Sequence, residues 1–215
     1  MSETITQDRL RLYLIRHGEV AGAGEGRLLG RTDAALSDRG MFQAHRLAEE
    51  LSQARLTAVY SSDLQRARMT AEIIGERSKL PVEQNPVWRE IDMGEWEGRT
   101  LAELHQEDPE PVAQLLDDPA SFRYPGGESF ASFIQRVQNG LDQLRRTHPT
   151  GDIALVAHGG VCRTMIGDML GMPARNWLRL TQAYGCLNLI EWYDGNPVLI
   201  TLNWQSKLAG SRGLV

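Results

Sequence analysis

Short apolar runs alternate with segments of helical periodicity along the chain. Three runs, at residues 11–15, 57–60 and 153–157, are nearly continuous in apolar side chains, as is typical of strands buried on both faces. Two further strand patterns, at 187–193 and 198–204, flank a turn-forming sequence and predict a hairpin. Strands that alternate with helices predict an α/β fold: a mostly parallel, doubly wound sheet with helices on both faces and an antiparallel edge strand.

Residues that can cap a helix stand before several segments of helical periodicity. Ser37, Asp63 and Ser129 each precede apolar side chains spaced three or four positions apart, so we expect each of them to cap a helix. Thr100 and Glu103 have the spacing of a capping box, which predicts a further short helix. These helices would connect the predicted strands and cover both faces of the sheet.

Composition narrows the class of protein. Of the 215 residues, 41% are hydrophobic and 24% are charged, and neither a repeat nor a linker rich in Gly, Pro or Ser divides them. We therefore expect one domain over residues 1–215, with an ordered core at about 9–205. The net charge of −5 argues against a nucleic-acid partner and against a membrane-surface role. No apolar run approaches the ~20 residues that span a bilayer, and the N-terminus lacks a signal-peptide pattern, so we expect a cytoplasmic protein.

Cysteines, tryptophans and scattered histidines give weaker indications. Cys162 and Cys186 lie far apart in the sequence, which predicts neither a disulfide framework nor a zinc site. We expect Cys162 to be a small buried thiol rather than a nucleophile. Trp88 and Trp96 either wall a substrate pocket or simply pack. Three histidines in polar surroundings are expected to be solvated: His45, His105 and His148.

Histidine and arginine side chains stand where the predicted strands end. Arg16 and His17 follow the first strand, Arg66 falls in the first turn after the second, and His158 follows the third. Parallel strands share the edge at which they end, and anionic ligands bind there beside the N-termini of the following helices. Guanidinium groups suit phosphate oxygens, and a neutral imidazole can attack phosphorus. One such histidine alone is more often structural, but the four residues together predict phosphate chemistry.

Six segments of the chain follow one another in the order of a known set of motifs. They are residues 14–19, 30–33 with 36–40, 61–71, 89–98, 125–129 and 156–161. Together they span roughly residues 10–165 and resemble the motifs of the histidine phosphatase superfamily, whose fold is phosphoglycerate-mutase-like.

The resemblance implies a role for each matched residue. His17 would be the nucleophile and would form a phosphohistidine. Arg16, Arg66 and His158 would bind the phosphoryl oxygens, and Glu90 would protonate the leaving oxygen and then activate water. Because the arginines and His158 supply positive charge, neither a metal ion nor another cofactor is expected. The predicted substrate-binding residues are Arg16, Arg66, His158, Gly159 and Gly30.

Two positions depart from the pattern of the family. Val20 and Ala23 stand where many members carry a threonine and an asparagine, and that asparagine helps to hold the phosphate. We expect the loss to weaken phosphate binding without abolishing the chemistry. Five residues are candidates for substrate specificity: Arg27, Arg31, Arg89, Arg123 and Tyr124.

Three functions fit these features. The leading hypothesis is a metal-independent phosphomonoesterase whose partner is a small-molecule phosphate ester, for example α-ribazole phosphate or a sugar or glycerate phosphate. The second is a phosphomutase of the phosphoglycerate mutase type, although the arginine and tyrosine that usually follow the acid in mutases are replaced by Ile91 and Asp92. The third is a non-catalytic phosphate-binding module. The sequence leaves open whether the chain forms a homodimer.

Overall fold

A computed structural model describes residues 9–206, which form a six-stranded sheet covered by helices. The strands in chain order are β1 (Leu10–Arg16), β2 (Leu56–Ser61), β3 (Val82–Gln84), β4 (Gly151–Ala157), β5 (Leu187–Tyr193) and β6 (Asn196–Trp204). Their spatial order is β3-β2-β4-β1-β5-β6. The first four strands are parallel to one another, whereas β5 pairs antiparallel with both β1 and β6. The predicted mostly parallel sheet with an antiparallel edge is confirmed.

Six α-helices connect and cover the strands within the described residues. They are α1 (Asp38–Leu51), α2 (Gln65–Ser78), α3 (Leu101–Glu107), α4 (Pro109–Asp117), α5 (Phe130–Thr147) and α6 (Gly159–Met169). Short 3-10 helices lie at Ala23–Glu25, Pro86–Trp88, Gly94–Trp96, Pro119–Ser121 and Ala174–Arg179. In the same part of the chain, no helix combines the length and the apolar character that crossing a bilayer would require.

Alternate side chains of the central strands enter two separate cores. Leu14 and Leu155 face the core that includes Phe133 of α5 and Met165 of α6. Ile15 and Val156 face the opposite side, where α1 and α2 pack. Because both faces are covered by helices, the central strands are apolar at nearly every position, which explains the continuous apolar runs in the sequence.

Most of the predicted caps are present. The side chain of Ser37 accepts a hydrogen bond from the backbone N–H of Gly40, and Ser129 caps α5 in the same way. Thr100 and Glu103 form the capping box at the start of α3. These contacts satisfy N–H groups that would otherwise lack partners in the first turn of each helix.

The predicted cap at Asp63 is wrong. The residue before α2 is Leu64, which makes no side-chain cap. The carboxylate of Asp63 instead accepts hydrogen bonds from the guanidinium of Arg89, at 2.7 Å from its Nε. A charge-assisted pair with two parallel hydrogen bonds is stronger than a neutral cap, and it decides the orientation of Asp63.

One strand and one α-helix of the described residues were not predicted. Strand β3 has three residues, too few for an alternating pattern to show. Helix α4 begins at Pro109, in a stretch where the prolines suggested only interruptions. Proline is tolerated in the first turn of a helix because its missing N–H has no partner there, and the side chain of Asp108 caps this turn. The prediction of a single domain over residues 1–215 stays a prediction, since its ends lie outside the described residues.

Candidate active site

His17 and His158 meet at the edge of the sheet where β1 and β4 end. The backbone N–H of His17 donates to the carbonyl of Ala157 at 3.0 Å, which holds the two strand ends together. The imidazole rings lie with their centroids 5.1 Å apart in an edge-to-face arrangement. His17 is 3% exposed and His158 is fully buried. Residues 141 positions apart in the sequence therefore form one pocket, as the strand ends predicted.

The hydrogen bonds of His17 define its tautomer. Its Nδ1 lies 2.7 Å from the carbonyl oxygen of Gly18, which can only accept, so Nδ1 carries the hydrogen. Its Nε2 therefore keeps a lone pair, and this atom accepts a hydrogen bond of 3.2 Å from Nε of Arg66. Burial lowers the pKa of His17 well below its ordinary value, and the positive charges of Arg66 and Arg16 lower it further. The ring is thus neutral, with its lone pair at Nε2.

Arg66 is fully buried in the first turn of α2. Its Nη1 donates to the carbonyl of Thr32 and its Nη2 to the carbonyl of Gly30, both at 2.7 Å. With Nε directed at His17, all three nitrogens of the guanidinium have a partner, which is what a buried cation requires. The predicted residue Gly30 therefore touches the site through its backbone oxygen.

Arg16 and His158 have buried nitrogen atoms without a hydrogen-bond partner among the described residues. Nη1 of Arg16 donates to the carbonyl of Gln182 at 2.6 Å, and its guanidinium lies 3.8 Å from the ring centre of Tyr184. Within residues 9–206, neither Nε of Arg16 nor either ring nitrogen of His158 makes a hydrogen bond, although all three atoms are buried. Burial also lowers the pKa of His158, and the charge of Arg66 adds to this effect. A buried donor without a partner costs about 1–3 kcal/mol, and a bound anion would remove this cost for Nε of Arg16 and for the one ring nitrogen of neutral His158 that carries hydrogen.

Glu90 lies against the N-terminus of α6. Its Oε2 accepts a hydrogen bond of 2.8 Å from the backbone N–H of Gly160, and its Oε1 accepts one of 3.1 Å from Ile91. A Cβ atom at Gly160 would lie 2.2 Å from Oε1, so only glycine allows this approach. Nη1 of Arg136, from α5, donates to the carbonyl of Arg89 at 2.9 Å and so holds the backbone before Glu90. Glu90 as a whole is 7% exposed. Burial lowers the pKa of Arg66, and the nearby charge of Glu90 offsets part of this lowering.

Gly159 lies between two guanidinium groups. A Cβ atom at this position would be 3.0 Å from Nη1 of Arg163 and 3.4 Å from Nε of Arg16. The absence of a side chain therefore leaves room between these cations at the start of α6. This geometry is compatible with the predicted place of Gly159 in substrate binding.

The two departures from the family pattern lie in the loop after His17. Val20 is buried and pairs with Leu36 in an isolated β-bridge, which explains an apolar residue at this position. Ala23 begins the 3-10 helix Ala23–Glu25, and its N–H donates to the carbonyl of Val20 at 3.2 Å. The side chain of Ala23 offers no hydrogen bond to an anion.

The five specificity candidates all contact other residues within the described part of the chain, but to different extents. Arg27 pairs with Glu25 and Glu103, and Arg89 pairs with Asp63. Arg123 donates to the carbonyl of Gly127, and Tyr124 is buried against Trp96 and Phe122. Arg31 differs, because its Nε is buried without a partner among residues 9–206 and its Nη2 lies 3.6 Å from Glu128. Arg31 is therefore the candidate with the most unused hydrogen-bonding capacity.

The other reactive residues have ordinary structural surroundings. Cys162 is fully buried, and burial raises the pKa of its thiol well above the ordinary value, as expected for an inert cysteine. Trp88 and Trp96 are both buried, so they pack rather than wall a pocket. His45 and His105 are exposed, but the expectation for His148 is wrong, since its Nε2 lies 2.8 Å from the hydroxyl of Tyr60. No group of three or more His, Cys, Asp or Glu side chains in the described part of the chain is arranged to hold a metal ion.

Sequence reasoning missed Gln182 and Tyr184, which contact Arg16 and His17. The ring of Tyr184 lies 5.6 Å from that of His17, and the N–H of Gly185 donates to the carbonyl of His17 at 2.9 Å. These residues precede β5, which runs antiparallel to β1, so the start of β5 lies at the edge where β1 ends. The antiparallel pairing of β5 with β1 is the feature that could have indicated that residues just before β5 reach the site.

Comparison with known proteins shows the family to which the chain belongs. Residues 12–205 match the family model of the histidine phosphatase superfamily (branch 1). Phosphoserine phosphatase 1 of Hydrogenobacter thermophilus is 34% identical over 199 residues, which make up 90% of this chain and 92% of that protein. A protein of Erwinia tasmaniensis named "Probable phosphoglycerate mutase GpmB" is 34% identical over 201 residues, 94% of this chain and 93% of that one.

A solved structure is similar over nearly the whole described region. The alpha-ribazole phosphatase from Shigella flexneri superposes with a TM-score of 0.82 at 31% identity, and the match covers 94% of this chain and 100% of that chain. The predicted phosphoglycerate-mutase-like fold is confirmed by such neighbours.

Proposed function

The chain belongs to the histidine phosphatase superfamily, and on that premise we propose that it hydrolyses phosphate monoesters of small organic molecules through a phosphohistidine at His17. The observation that carries the proposal is the unprotonated Nε2 of a neutral, buried His17, which accepts a hydrogen bond of 3.2 Å from Nε of Arg66. A nucleophile beside fixed positive charge is what attack on a phosphoryl group requires.

In the first step, Nε2 of His17 forms a bond to phosphorus while the bond from phosphorus to the ester oxygen breaks. Arg16, Arg66 and His158 stabilise the negative charge on the three peripheral oxygens. Glu90, in its protonated form, gives its proton to the leaving oxygen, which departs as an alcohol.

In the second step, water attacks phosphorus and the nitrogen–phosphorus bond breaks. Glu90, now a carboxylate, takes a proton from this water and is ready for another cycle. Inorganic phosphate leaves, and the lone pair returns to Nε2 of His17. The positive charge in both steps comes from side chains of the protein, so the proposal includes no metal ion.

Hydrolysis of p-nitrophenyl phosphate in the presence of EDTA tests this proposal. We expect steady release of nitrophenol by the wild type, none by His17→Ala, and unchanged rates for His45→Ala, whose side chain is exposed. Acid-labile labelling of the wild type by a ³²P-ester, absent in His17→Ala, would identify the intermediate. Turnover that persists in His17→Ala, or that requires added Mg²⁺, would refute the proposal.

A phosphomutase is the second candidate, because the Erwinia tasmaniensis relative carries that name. In this chain the residue after Glu90 is Ile91, which is 3% exposed and packs into the core, so it offers no group to a substrate carboxylate. Incubation with 3-phosphoglycerate separates the two activities. Conversion to 2-phosphoglycerate without phosphate release would favour the mutase, and phosphate binding without either reaction would favour a non-catalytic module.

The substrate is proposed to be a small phosphate ester whose remaining part reaches Arg31. The names of the relatives suggest phosphoserine and α-ribazole phosphate for the first panel, together with sugar and glycerate phosphates. Because the guanidinium of Arg31 has unused donors, Arg31→Ala should lower kcat/KM more for esters that carry a second anionic group than for p-nitrophenyl phosphate. An equal loss for both kinds of ester would refute this role.

A further inference from the structure

The loop that holds Arg66 is itself held by the carboxylate of Glu97. Oε1 of Glu97 accepts a hydrogen bond of 2.6 Å from the N–H of Arg31. Oε2 accepts from the N–H of Gly30 at 3.1 Å, from the N–H of Thr32 at 3.3 Å and from the hydroxyl of Thr32 at 2.8 Å. One carboxylate thus gathers three consecutive N–H groups and a hydroxyl.

Two of the same three residues direct their carbonyls at Arg66. The carbonyls of Gly30 and Thr32 accept hydrogen bonds from Nη2 and Nη1 of Arg66. The segment 30–32 therefore lies between Glu97 on its N–H side and Arg66 on its carbonyl side. A shift of this segment would move the guanidinium whose Nε contacts Nε2 of His17.

Only an ionised carboxylate suits the position of Glu97. Every neighbour that points at it is a donor, so two oxygens without hydrogen are required. Burial alone would raise the pKa of Glu97, but the hydrogen bonds from Arg31, Thr32 and Gly30 outweigh burial and lower it. Gly30 permits the close approach, since a Cβ atom there would lie 2.4 Å from Oε1 of Glu97.

The backbone of Glu97 is fixed from two sides. The preceding Trp96 is buried and packs edge-to-face on Tyr124. The N–H of the following Gly98 donates to the carbonyl of Leu28 at 2.8 Å, and the N–H of Leu28 donates to the carbonyl of Arg99 at the same distance. The position of Glu97 is therefore fixed by its backbone contacts, independently of its hydrogen bonds to the segment 30–32.

We propose that Glu97 is a positioning residue for phosphoryl transfer: its carboxylate fixes the segment 30–32, and this segment fixes Arg66 relative to Nε2 of His17. Glu97 itself makes no hydrogen bond to His17 within residues 9–206. The effect of Glu97 on catalysis rests on the proposed function. The structural connection from Glu97 through the segment 30–32 to Arg66 does not depend on that function.

A double-mutant cycle tests the link. In Glu97→Gln, one oxygen becomes an NH₂ group that faces donors, and we expect kcat/KM to fall on the order of 10- to 100-fold, the range for a hydrogen bond to a charged group. Glu95→Gln is the matched control, because Glu95 lies in the same turn with an exposed side chain, and we expect its rate to stay within about twofold. In an Arg66→Met background, Glu97→Gln should cost less than about threefold, since two residues that act through one contact are not additive. The same factor in both backgrounds would overturn the proposal.

Two further measurements keep the result independent of folding and of turnover. Thr32→Val removes the hydroxyl group that donates to Oε2 of Glu97, and it should lower kcat/KM several-fold in the wild type but not in Arg66→Met, even if Glu97→Gln fails to fold. Amide hydrogen exchange at Arg31 and Thr32 should accelerate in Glu97→Gln, together with a shift of the Arg66 Nε–H resonance. If the wild type hydrolyses no ester, the proposed function fails, while exchange and the Arg66 resonance still decide on Glu97. Unchanged exchange and resonance would overturn the proposal.

Discussion

Nε of Arg66 donates a hydrogen bond to Nε2 of His17 across 3.2 Å, so the proposed nucleophilic atom is held by the cation that would stabilise its product. This contact excludes a proton from Nε2 and keeps the lone pair in place. When phosphorus approaches Nε2, the same guanidinium can turn its hydrogen bond toward a phosphoryl oxygen. Arg66 thus contacts the nucleophilic atom, which the sequence did not predict, and it also lies where it could bind phosphoryl oxygens, the role that the family resemblance implies.

The leaving-group dependence of Glu90→Gln tests the proposed general acid. The substitution preserves an acceptor for the N–H of Gly160 but removes the proton that would be donated. Loss of a general acid typically costs ~10²–10⁴ in rate, so we expect a loss of this size for an alkyl phosphate. The loss should be smaller for p-nitrophenyl phosphate, whose leaving group needs little protonation. Equal losses for the two esters would contradict the role.

Gly160→Ala should reproduce the pattern of Glu90→Gln without changing any titratable group. The added methyl group would lie 2.2 Å from Oε1 of Glu90, so the carboxyl group must move. We expect about a 100-fold loss of kcat on an alkyl phosphate and a smaller one on p-nitrophenyl phosphate, within the general-acid range. Gly24→Ala is the control, since nothing lies within 4 Å of its Cβ position. A uniform loss on both esters would instead indicate general damage to the site.

Tyr184 should contribute to phosphate affinity through Arg16. The guanidinium lies 3.8 Å from the centre of the Tyr184 ring, and such contacts are worth about 0.5–2 kcal/mol. We expect Tyr184→Leu to raise the inhibition constant of inorganic phosphate by about 3- to 30-fold, and Tyr184→Phe to have little effect. Competitive inhibition by phosphate measures both. If Tyr184→Phe weakened phosphate as much as Tyr184→Leu, the hydroxyl group rather than the ring face would be responsible.

The buried histidines should make stability depend on pH. Burial keeps the pKa values of His17 and His158 well below 6.5, whereas the unfolded chain binds protons at both rings below about pH 6.5. The unfolded state then holds more protons than the folded state. The free energy of unfolding therefore decreases as the pH is lowered below about 6.5, by up to about 1.4 kcal/mol per pH unit for each ring. Urea unfolding at several pH values measures this slope.

A matched pair of variants assigns that slope. His158→Gln should flatten it by about one proton's worth, because glutamine does not titrate, and His17→Gln should flatten it in the same way. An unaltered slope in His158→Gln would show that other groups produce the pH dependence.

The sequence predicted the parts of the site that follow buried strands. Arg16, His17 and His158 stand at the ends of apolar runs that are long enough to be recognised as buried strands. Parallel strands end at the same edge of a sheet, whatever the sequence between them, and so bring these residues together. The placement of Arg66 followed from the same reasoning, since it opens the helix after β2. These inferences needed only local periodicity and the rule for parallel sheets.

The parts that escaped prediction depend on tertiary contacts without a local pattern. Asp63 was expected to cap a helix, but a guanidinium distant in sequence competes successfully for its carboxylate. Tyr184 reaches the site only because β5 reverses direction, and Glu97 acts through hydrogen bonds to a loop some 65 residues earlier in the chain. No periodicity marks such residues, and their roles emerge from geometry alone.

The antiparallel course of β5 also has a consequence for how the protein is made. The first 170 residues contain both imidazoles, both arginines and Glu90, while the aromatic surface beneath Arg16 comes from a segment synthesised afterwards. A ribosome-bound chain that ends before Gln182 would carry the reactive groups without the Tyr184 ring that contacts Arg16. Competence for phosphoryl transfer would therefore arise late in synthesis, when the hairpin of β5 and β6 joins β1.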